Sequence, residues 1–335
     1  MINSIALNYW KLSGYSKEDI DSVMAELDNY LMAARVEFRE NNNIHISITH
    51  KVEERQEGHA PTMIRFIHEL ACTYASKQLR GSVIFWLEDG MWHFYERFTR
   101  RAPILAFGRR CEDYRTMLIP DPAFLGARGY QAEIDEISEI EKTLTWSCKT
   151  PTIFWRGATT GMEIDTDKWK EVPRIKLAMK SKEINDPDRV DAYISYVTKL
   201  SPSRMQEIRD LGIVKPYCKF NDFLKYRYLV DVDGYSCAWK SLFLKLASQS
   251  LVLKTDSPFM QWYYDKLIPW VNYIPLRSDY EDIEEVFEWL SSHDNDAKQI
   301  ADNGAKLARS ISYADALKDT ADLLENLLSC QKSIS

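Results

Sequence analysis

Short apolar runs alternate with helical periodicities along most of this chain. In the C-terminal half, apolar runs of strand length are found at residues 152–155, 192–197 and 226–232. Segments 174–179 and 203–211, which lie between them, have the spacing of amphipathic helices. Regular alternation of strand and helix is typical of a parallel sheet covered by helices.

Residues 225–254 predict a complete βαβ unit. The first strand ends at Asp233-Gly234, Ser236 is predicted to cap the following helix, and Lys240 lies one turn into it. Backbone N–H groups and the positive end of a helix dipole suit a phosphate at this position. The alternative is an ordinary buried βαβ unit in which the glycine only makes a turn.

The N-terminal half predicts a helix after Ser16, with Asp19 completing a capping box, and a strand through the alternation of residues 44–48. A helix at 63–77 and strands at 82–87 and 103–107 follow. The first of these two strands ends at Glu88-Asp89-Gly90 and the second runs into Gly108-Arg109-Arg110. If both belong to a parallel sheet, their polar loops meet at one edge, where ligands bind.

A chain of 335 residues suits two domains, which we place at residues 1–150 and 151–335 with Lys149-Thr150-Pro151 as the linker. Residues 279–328 read as terminal helices. Hydrophobic residues make up 45% and charged residues 28%, which is typical of a globular chain.

Charge and cysteine content exclude several classes of function. The net charge of −7 argues against nucleic acid as a partner. Five arginines could meet anionic lipid or a phosphorylated glycan, although an ordinary solvated face is the favoured interpretation: Arg97, Arg100, Arg101, Arg109 and Arg110. Six cysteines without a CxxC spacing indicate neither a zinc site nor a disulfide scaffold, which favours a cytoplasmic protein. We expect neither secretion nor a membrane-spanning segment, because no signal-peptide pattern or long apolar window is present.

The strand at 152–155 is followed by Arg156-Gly157-Ala158-Thr159-Thr160-Gly161, whose small and hydroxylated residues suit a nucleotide-binding loop. The chain is also rich in aromatic residues, with ten Trp and eighteen Tyr. For one aromatic group we favour core packing over sugar stacking: Trp262, Tyr263, Tyr264 and Trp270.

Several segments in this order resemble glycosyltransferase family 90: PTIFWRGATTG, PRIKL, KYRYLVDVDGYSCAWKSLFL, SLVLK and WYYDKLIPWVNYIPL. The resemblance extends over residues 82–307, and residues 103–124 resemble the bacterial, lipopolysaccharide-modifying branch in particular. Several motifs together are more specific than one glycine loop.

The resemblance implies an α/β, GT-B-like fold of two Rossmann-like domains facing a central cleft, with acceptor-side residues 1–150 and donor-binding residues 151–335. It implies an inverting transfer of a hexosyl or pentosyl group from a UDP-sugar to a cell-surface glycan such as lipooligosaccharide or lipopolysaccharide core. No metal and no cofactor other than this co-substrate is expected, and the implied location is cytoplasmic, with peripheral contact at the inner membrane. The alternative is a non-catalytic nucleotide-sugar-binding or scaffold protein.

The resemblance assigns the catalytic base to Asp89, with Glu88 in reserve, although Glu88-Asp89-Gly90-Met91 departs from the family's usual Arg-Asp motif. Lys240 stands where the family usually has arginine, and Ala238 where many relatives have serine. Arg174 is a phosphate partner or forms a salt bridge between helices. The donor-binding residues implied are Arg156, Gly157, Thr159, Thr160, Gly161, Arg174, Gly234, Tyr235, Ser236, Trp239 and Lys240.

Overall fold

The computed structural model describes residues 2–28, 32–40, 43–50, 59–89, 95–198 and 200–332. Gly90 and Met91 of the predicted catalytic motif lie outside the described residues. The chain forms two compact units. Unit 1 contains Met1–Gly129, Pro258–Asp265 and Ile311–Ser335, and unit 2 contains Tyr130–Ser257 and Lys266–Ser310.

The elements follow one another in chain order. Up to Gly129 they are α1 (Ser4–Ser13), α2 (Lys17–Leu27), β1 (Ala33–Phe38), β2 (Ile44–Ile48), α3 (Ala60–Thr73), β3 (Gly81–Trp86), α4 (Tyr95–Thr99), β4 (Ile104–Ala106), β5 (Gly108–Arg110), β6 (Met117–Leu118) and α5 (Pro122–Gly126). Beyond it they are α6 (Gln131–Glu141), β7 (Thr150–Ala158), α7 (Pro173–Ile184), β8 (Val190–Tyr196), α8 (Pro202–Asp210), α9 (Phe220–Phe223), β9 (Tyr226–Asp231), α10 (Trp239–Ala247), β10 (Leu251–Thr255), β11 (Phe259–Gln261), β12 (Ile274–Leu276), α11 (Ile283–Ser292), α12 (Asp294–Ser310) and α13 (Tyr313–Leu328).

Unit 2 is built on a five-stranded sheet in the order β12-β10-β9-β7-β8. Every neighbouring pair in this sheet is parallel. From the first strand, β7, the chain goes to β8 on one side and later to β9, β10 and β12 on the other. The strand order therefore reverses between β7 and β9, which makes the carboxyl ends of these two strands the topological switch point of the sheet.

The strands of unit 2 are apolar because helices cover the sheet. Ile153, Ala192, Val230 and Leu253 are fully buried in one core cluster, and Ile175 of α7 packs in the same cluster. The predicted βαβ unit is confirmed, since β9 and β10 pair in parallel with α10 between them. The burial of these strands explains why their sequence pattern is a continuous apolar run.

Unit 1 contains a mixed sheet in the order β2-β1-β3-β4-β6. Strand β1 is antiparallel to both β2 and β3, whereas β3, β4 and β6 are parallel. The capping box of Ser16 and Asp19 begins α2 as predicted. The α/β class with two sheet-based units is confirmed, and the loops after β3 and β4 do leave the same edge of the sheet.

The division into units differs from the predicted split at residue 150. It falls after Gly129, and both the segment carrying β11 and the final helix α13 belong to unit 1. The linker predicted at Lys149-Thr150-Pro151 is wrong. Thr150 begins β7, and the buried ammonium of Lys149 lies 2.8 Å from Glu141 Oε1 and 2.9 Å from Ser250 Oγ.

The arginine group predicted as a basic cluster is neutralised within unit 1. Arg109 is buried and donates to the carbonyl oxygens of Asp113 and Ile2. The other four arginines form ion pairs with glutamates: Arg97 and Arg101 with Glu26, Arg100 with Glu96, and Arg110 with Glu112. This pairing agrees with an ordinary surface rather than an anion-binding patch. Among the described residues, no helix has the length and apolarity needed to cross a bilayer.

The aromatic residues predicted to pack in the core behave differently from one another. Trp262 and Tyr263 are buried, and Tyr264 is half-buried. The prediction is wrong for Trp270, which is 48% exposed. Strand β12 begins only at Ile274, because Trp270 lies in a tight turn in which its N–H donates to Tyr273 O over 2.7 Å.

Replacing Lys149 by alanine should destabilise unit 2 strongly. The change leaves the carboxylate of Glu141 buried with Arg309, 3.2 Å away, as its one ion-pair partner among the described residues. We expect a loss of about 3–5 kcal/mol in the free energy of unfolding, measured by urea denaturation. The nearby exposed pair Lys142–Glu139 supplies the control, since Lys142→Ala should change stability little. Equal effects of the two variants would contradict a structural role for Lys149.

Candidate functional site

The guanidinium of Arg174 connects the two loops at the switch point. From the first turn of α7 it donates to the carbonyl oxygens of Ala158 at 3.2 Å, Val232 at 3.2 Å and Asp233 at 2.9 Å. Ala158 ends β7, and the other two residues follow β9. Arg174 therefore bonds to main-chain oxygens rather than forming the salt bridge considered as an alternative, and desolvation lowers the pKa of its guanidinium.

Gly234 and Thr160 lie beside Arg174. A Cβ atom at Gly234 would come within 2.6 Å of Thr160 Oγ1 and 3.2 Å of Arg174 Nη2. Only glycine allows the two loops to approach this closely. Thr160, Arg174, Asp233 and Gly234 together are called the switch-point site below.

The remaining small residues of the β7 loop have partners within the chain. Thr159 is buried, and its hydroxyl accepts a hydrogen bond from Thr198 N at 3.1 Å. The space in front of Gly157 is occupied by the ring of Trp155, and that in front of Gly161 by Val172. Packing within the chain is therefore a sufficient reason for glycine at both positions, in addition to the predicted approach of a ligand to the backbone.

Arg156 is held by Asp191 on the neighbouring strand β8. Its Nη2 lies 2.7 Å from Asp191 Oδ2, and Nη1 donates to Asp191 O, also over 2.7 Å. Arg156 nevertheless lines a cavity of about 460 Å³ at the carboxyl ends of β7 and β8. Tyr196 and Tyr217, both exposed, line the same cavity.

The turn before α10 differs from the prediction. The prediction that Ser236 caps the helix is wrong, because the helix begins at Trp239 and its N-cap is Ala238, which has no side-chain capping bond. Ser236 is buried two residues earlier, and Tyr235, whose pKa is raised by burial, packs against the core of unit 2. Trp239 has a φ of 39°, a left-handed conformation that is rare for a bulky residue.

Lys240 is directed towards α6. Its ammonium lies 2.5 Å from Glu133 Oε1 and 5.6 Å from the ring centre of Tyr130, and the side chain is 46% exposed. The charge predicted for the donor phosphate is therefore paired with an acid in this structure.

A buried ion pair and a second buried lysine lie under the β9–α10 turn, and the sequence reasoning missed them. Lys245 of α10 donates to Asp231 Oδ1 at 3.2 Å, and burial lowers the pKa of this lysine. Burial lowers the pKa of Lys254 as well, but the charges of Asp233 and Asp231 outweigh this effect and leave its pKa raised. The available signals were two acids ending an apolar strand and a lysine on the apolar face of a helix.

Asp233 is the acidic residue of the switch-point site, and its pKa is shifted. Burial raises its pKa to about 6, although Lys254 and a hydrogen bond from Ser257 act in the opposite direction. Its Oδ1 is buried without a hydrogen-bond partner among the described residues. Such an orphaned oxygen is a candidate acceptor for a ligand hydroxyl.

In unit 1, the candidate base Asp89 follows β3 and contacts a histidine that the sequence reasoning missed. His59 Nε2 lies 3.2 Å from Asp89 Oδ1, and both side chains are partly exposed. His59 precedes α3, and its ring packs edge-on against Phe107, 5.5 Å between ring centres. A histidine bonded to an exposed carboxylate fixes its orientation and can share in proton transfer.

The reserve base Glu88 has a structural partner instead. Its Oε1 accepts a hydrogen bond from Met32 N at 3.1 Å, next to the start of β1. Within the described part of the chain, no group of three or more His, Cys, Asp and Glu side chains could hold a metal ion.

Asp233→Asn should remove a pH dependence of stability. The carboxyl group has its ordinary pKa of 3.8 in the unfolded chain and about 6 in the fold, so the folded state binds more protons between these values. The contribution of this group to stability is therefore highest below pH 3.8 and falls as the pH rises through about 6, by roughly 3 kcal/mol for two pKa units. Urea denaturation across this range should show that slope in the parent and in the exposed control Asp188→Asn, and a flatter profile in Asp233→Asn. Identical slopes in all three would contradict the assignment.

Comparison with known proteins identifies the family. Protein O-glucosyltransferase 2 of Danio rerio is 41% identical over 172 residues, which are 51% of this chain and 31% of that protein. Protein O-glucosyltransferase 1 of Homo sapiens is 30% identical over 187 residues, 55% of this chain and 42% of that protein. The aligned segment thus spans less than half of either relative.

Among solved structures, HepE of Anabaena in complex with UDP and glucose matches with a TM-score of 0.44 and 9% identity, covering 77% of this chain and 74% of that one. The sequence model of Glycosyl transferase family 90 matches residues 41–326, a span that contains both Asp89 and the switch-point site. A match over most of the chain shows that this protein belongs to glycosyl transferase family 90.

Proposed function

We propose that this chain transfers a hexosyl group from a UDP-sugar to an acceptor hydroxyl with inversion at the anomeric carbon. Membership of the family supports glycosyl transfer. The observation that carries the donor assignment is the convergence of Arg174, Thr160 and Gly234 on the switch point of a parallel sheet. Doubly wound sheets bind nucleotides at this place.

The diphosphate of the donor would lie against the β9–α10 turn. The first turn of α10 has no side-chain cap, so its backbone N–H groups suit an anion. Arg174 supplies a fixed positive charge beside Gly234. Lys240 would join only after leaving Glu133, and their exposed ion pair is weak enough to exchange.

The uracil base would occupy the cavity between the ends of β7 and β8. The cavity has the size of a small-molecule site, and the rings of Tyr196 and Tyr217 offer surfaces for stacking. The unpartnered Oδ1 of Asp233 would accept a hydrogen bond from a donor hydroxyl.

Asp89 would act as the general base. Its carboxylate takes the proton of the acceptor hydroxyl while that oxygen bonds to C1 of the sugar, and the bond from C1 to the diphosphate breaks to release UDP. When His59 Nε2 carries a proton, it donates to Asp89 Oδ1 and leaves Oδ2 for the acceptor. Charge on the leaving diphosphate would be stabilised by Arg174 and backbone N–H groups without a metal.

The names of the relatives favour glucose as the transferred sugar, because they are protein O-glucosyltransferases. We propose a cell-surface glycan, such as lipopolysaccharide core, as the acceptor, with transfer at the cytoplasmic face of the inner membrane and peripheral contact with it. A protein hydroxyl is the second candidate, again from the relatives' names. The pairing of Lys240 with Glu133 favours the non-catalytic alternative, which the activity measurements below test.

Asp89→Asn should reduce transfer about 10²–10⁴-fold, because the amide keeps the shape of the side chain and loses the base. UDP release from a UDP-glucose donor with a truncated lipooligosaccharide acceptor measures the rate, and calorimetry should show unchanged UDP binding. Glu88→Gln is the matched control, since its amide oxygen can still accept from Met32 N. Normal turnover of Asp89→Asn together with loss in Glu88→Gln would reassign the base to Glu88.

Gly234→Ala should abolish UDP binding measured by calorimetry. The added methyl group would lie 2.6 Å from Thr160 Oγ1, so the two loops must separate. Gly126→Ala is the control, because a Cβ there has its nearest contact at an ordinary 3.6 Å. UDP binding by Gly234→Ala as tight as in the parent would place the donor site elsewhere.

A further inference from the structure

Unit 2 contains a second large cavity, of about 470 Å³, lined by residues of β12 and α11. Two tryptophans line it, Trp270 before β12 and Trp289 on α11. It shares no lining residue with the cavity at the ends of β7 and β8. The proposed transfer reaction assigns no role to it.

The two indole rings are in edge-to-face contact. Their centres are 5.2 Å apart and their planes are inclined by 76°. The ring of His293 stacks on Trp289 at 4.8 Å, which covers one face of that indole. Trp270 is about half exposed, so part of its ring surface is open to solvent at the cavity.

The backbone holds Trp270 in this position at a conformational cost. Its φ of 62° is in the left-handed region, which bulky residues rarely adopt. The N–H of Trp270 donates to Tyr273 O, which closes the turn. Residues in this region are held there by the surrounding structure, and they are often found at functional sites.

The polar lining of the cavity is predominantly acidic. Asp256, Asp282 and Glu285 line it together with one cation, Arg277. The guanidinium of Arg277 is paired at 2.5 Å with Asp279, which is not a lining residue. Asp256 and Glu285 have no hydrogen-bonded or ion-paired side-chain partner within the described ranges, so two carboxylates face the cavity uncompensated.

The lining of the cavity favours some classes of ligand over others. An anionic ligand would meet the carboxylates, and an added peptide strand would find Pro275, which has no N–H, in the middle of the three-residue strand β12. A neutral sugar would use the rings but not the charge. An organic cation would use both the rings and the acidic charge, since it is attracted to indole faces and to carboxylates.

We propose that this cavity binds an organic ammonium group, held against the exposed ring of Trp270 and neutralised by Asp256 and Glu285. The proposal is independent of the transfer reaction, because none of these residues belongs to the switch-point site. Substituted ammonium ions are attracted both to an exposed indole ring and to nearby carboxylates.

The test is calorimetry of the full chain with choline, compared with its uncharged isostere 3,3-dimethylbutan-1-ol at constant ionic strength. Choline should bind at least about tenfold more tightly than the isostere, because only the ammonium has the cation–π and ionic attractions. Trp270→Ala should weaken choline binding by about tenfold, and Glu285→Gln by several-fold. Tyr217→Ala, which changes an exposed ring at the other cavity, should leave binding unchanged.

Three results would overturn the proposal. The first is equal binding of choline and its isostere, which indicates an apolar pocket. The second is tighter binding of methyl glucoside than of choline, and the third is choline binding that neither Trp270→Ala nor Glu285→Gln weakens. Glu285 is an exposed residue of α11, so its variant should fold normally, and circular dichroism of each variant verifies this.

Discussion

The contact between one guanidinium and three main-chain oxygens holds together the two loops at the switch point of unit 2. The oxygens of Ala158, Val232 and Asp233 leave the ends of two different strands, and Arg174 satisfies all three from α7. Without the N–H groups of Arg174, these three carbonyl groups would need hydrogen bonds from water or from a ligand. The parallel order of the sheet brings β7 and β9 side by side, and Arg174 fixes the loops that follow them in one arrangement.

Electrostatics at this edge is arranged in layers. Beneath the loops, the buried pair Lys245–Asp231 and the neighbouring Lys254 and Asp233 balance one another in a desolvated region. Above them, Lys240 and Glu133 form a pair that water can reach. The inner charges fix the end of β9 because separating them would leave a buried charge uncompensated, whereas the outer pair can separate at little cost.

Much of the fold could be predicted from local patterns, because parallel strands and their helices leave continuous apolar runs and 3.6-residue periodicities. The βαβ unit at residues 225–254 is the clearest case. The failures concern contacts distant in sequence. In the sequence Lys149 has the features of a linker residue, and its buried contacts with Ser250 and Glu141 are visible only in the structure. His59 lies thirty positions from Asp89, and the two residues share no sequence motif. The exposed Trp270 was missed because a sequence does not show that its turn directs the ring outwards.

The placement of α13 affects how the protein is made. This last helix packs in unit 1, where Tyr15 donates to Leu327 O and Lys77 forms ion pairs with Asp322 and Glu325. A ribosome releases residues in order, so all of unit 2 emerges before the helix that unit 1 requires. The unit begun first is thus completed last, and its apolar face for α13 stays uncovered for most of translation. A chimaera that exchanges the C-terminal half between relatives would transplant this helix away from the surface with which it evolved.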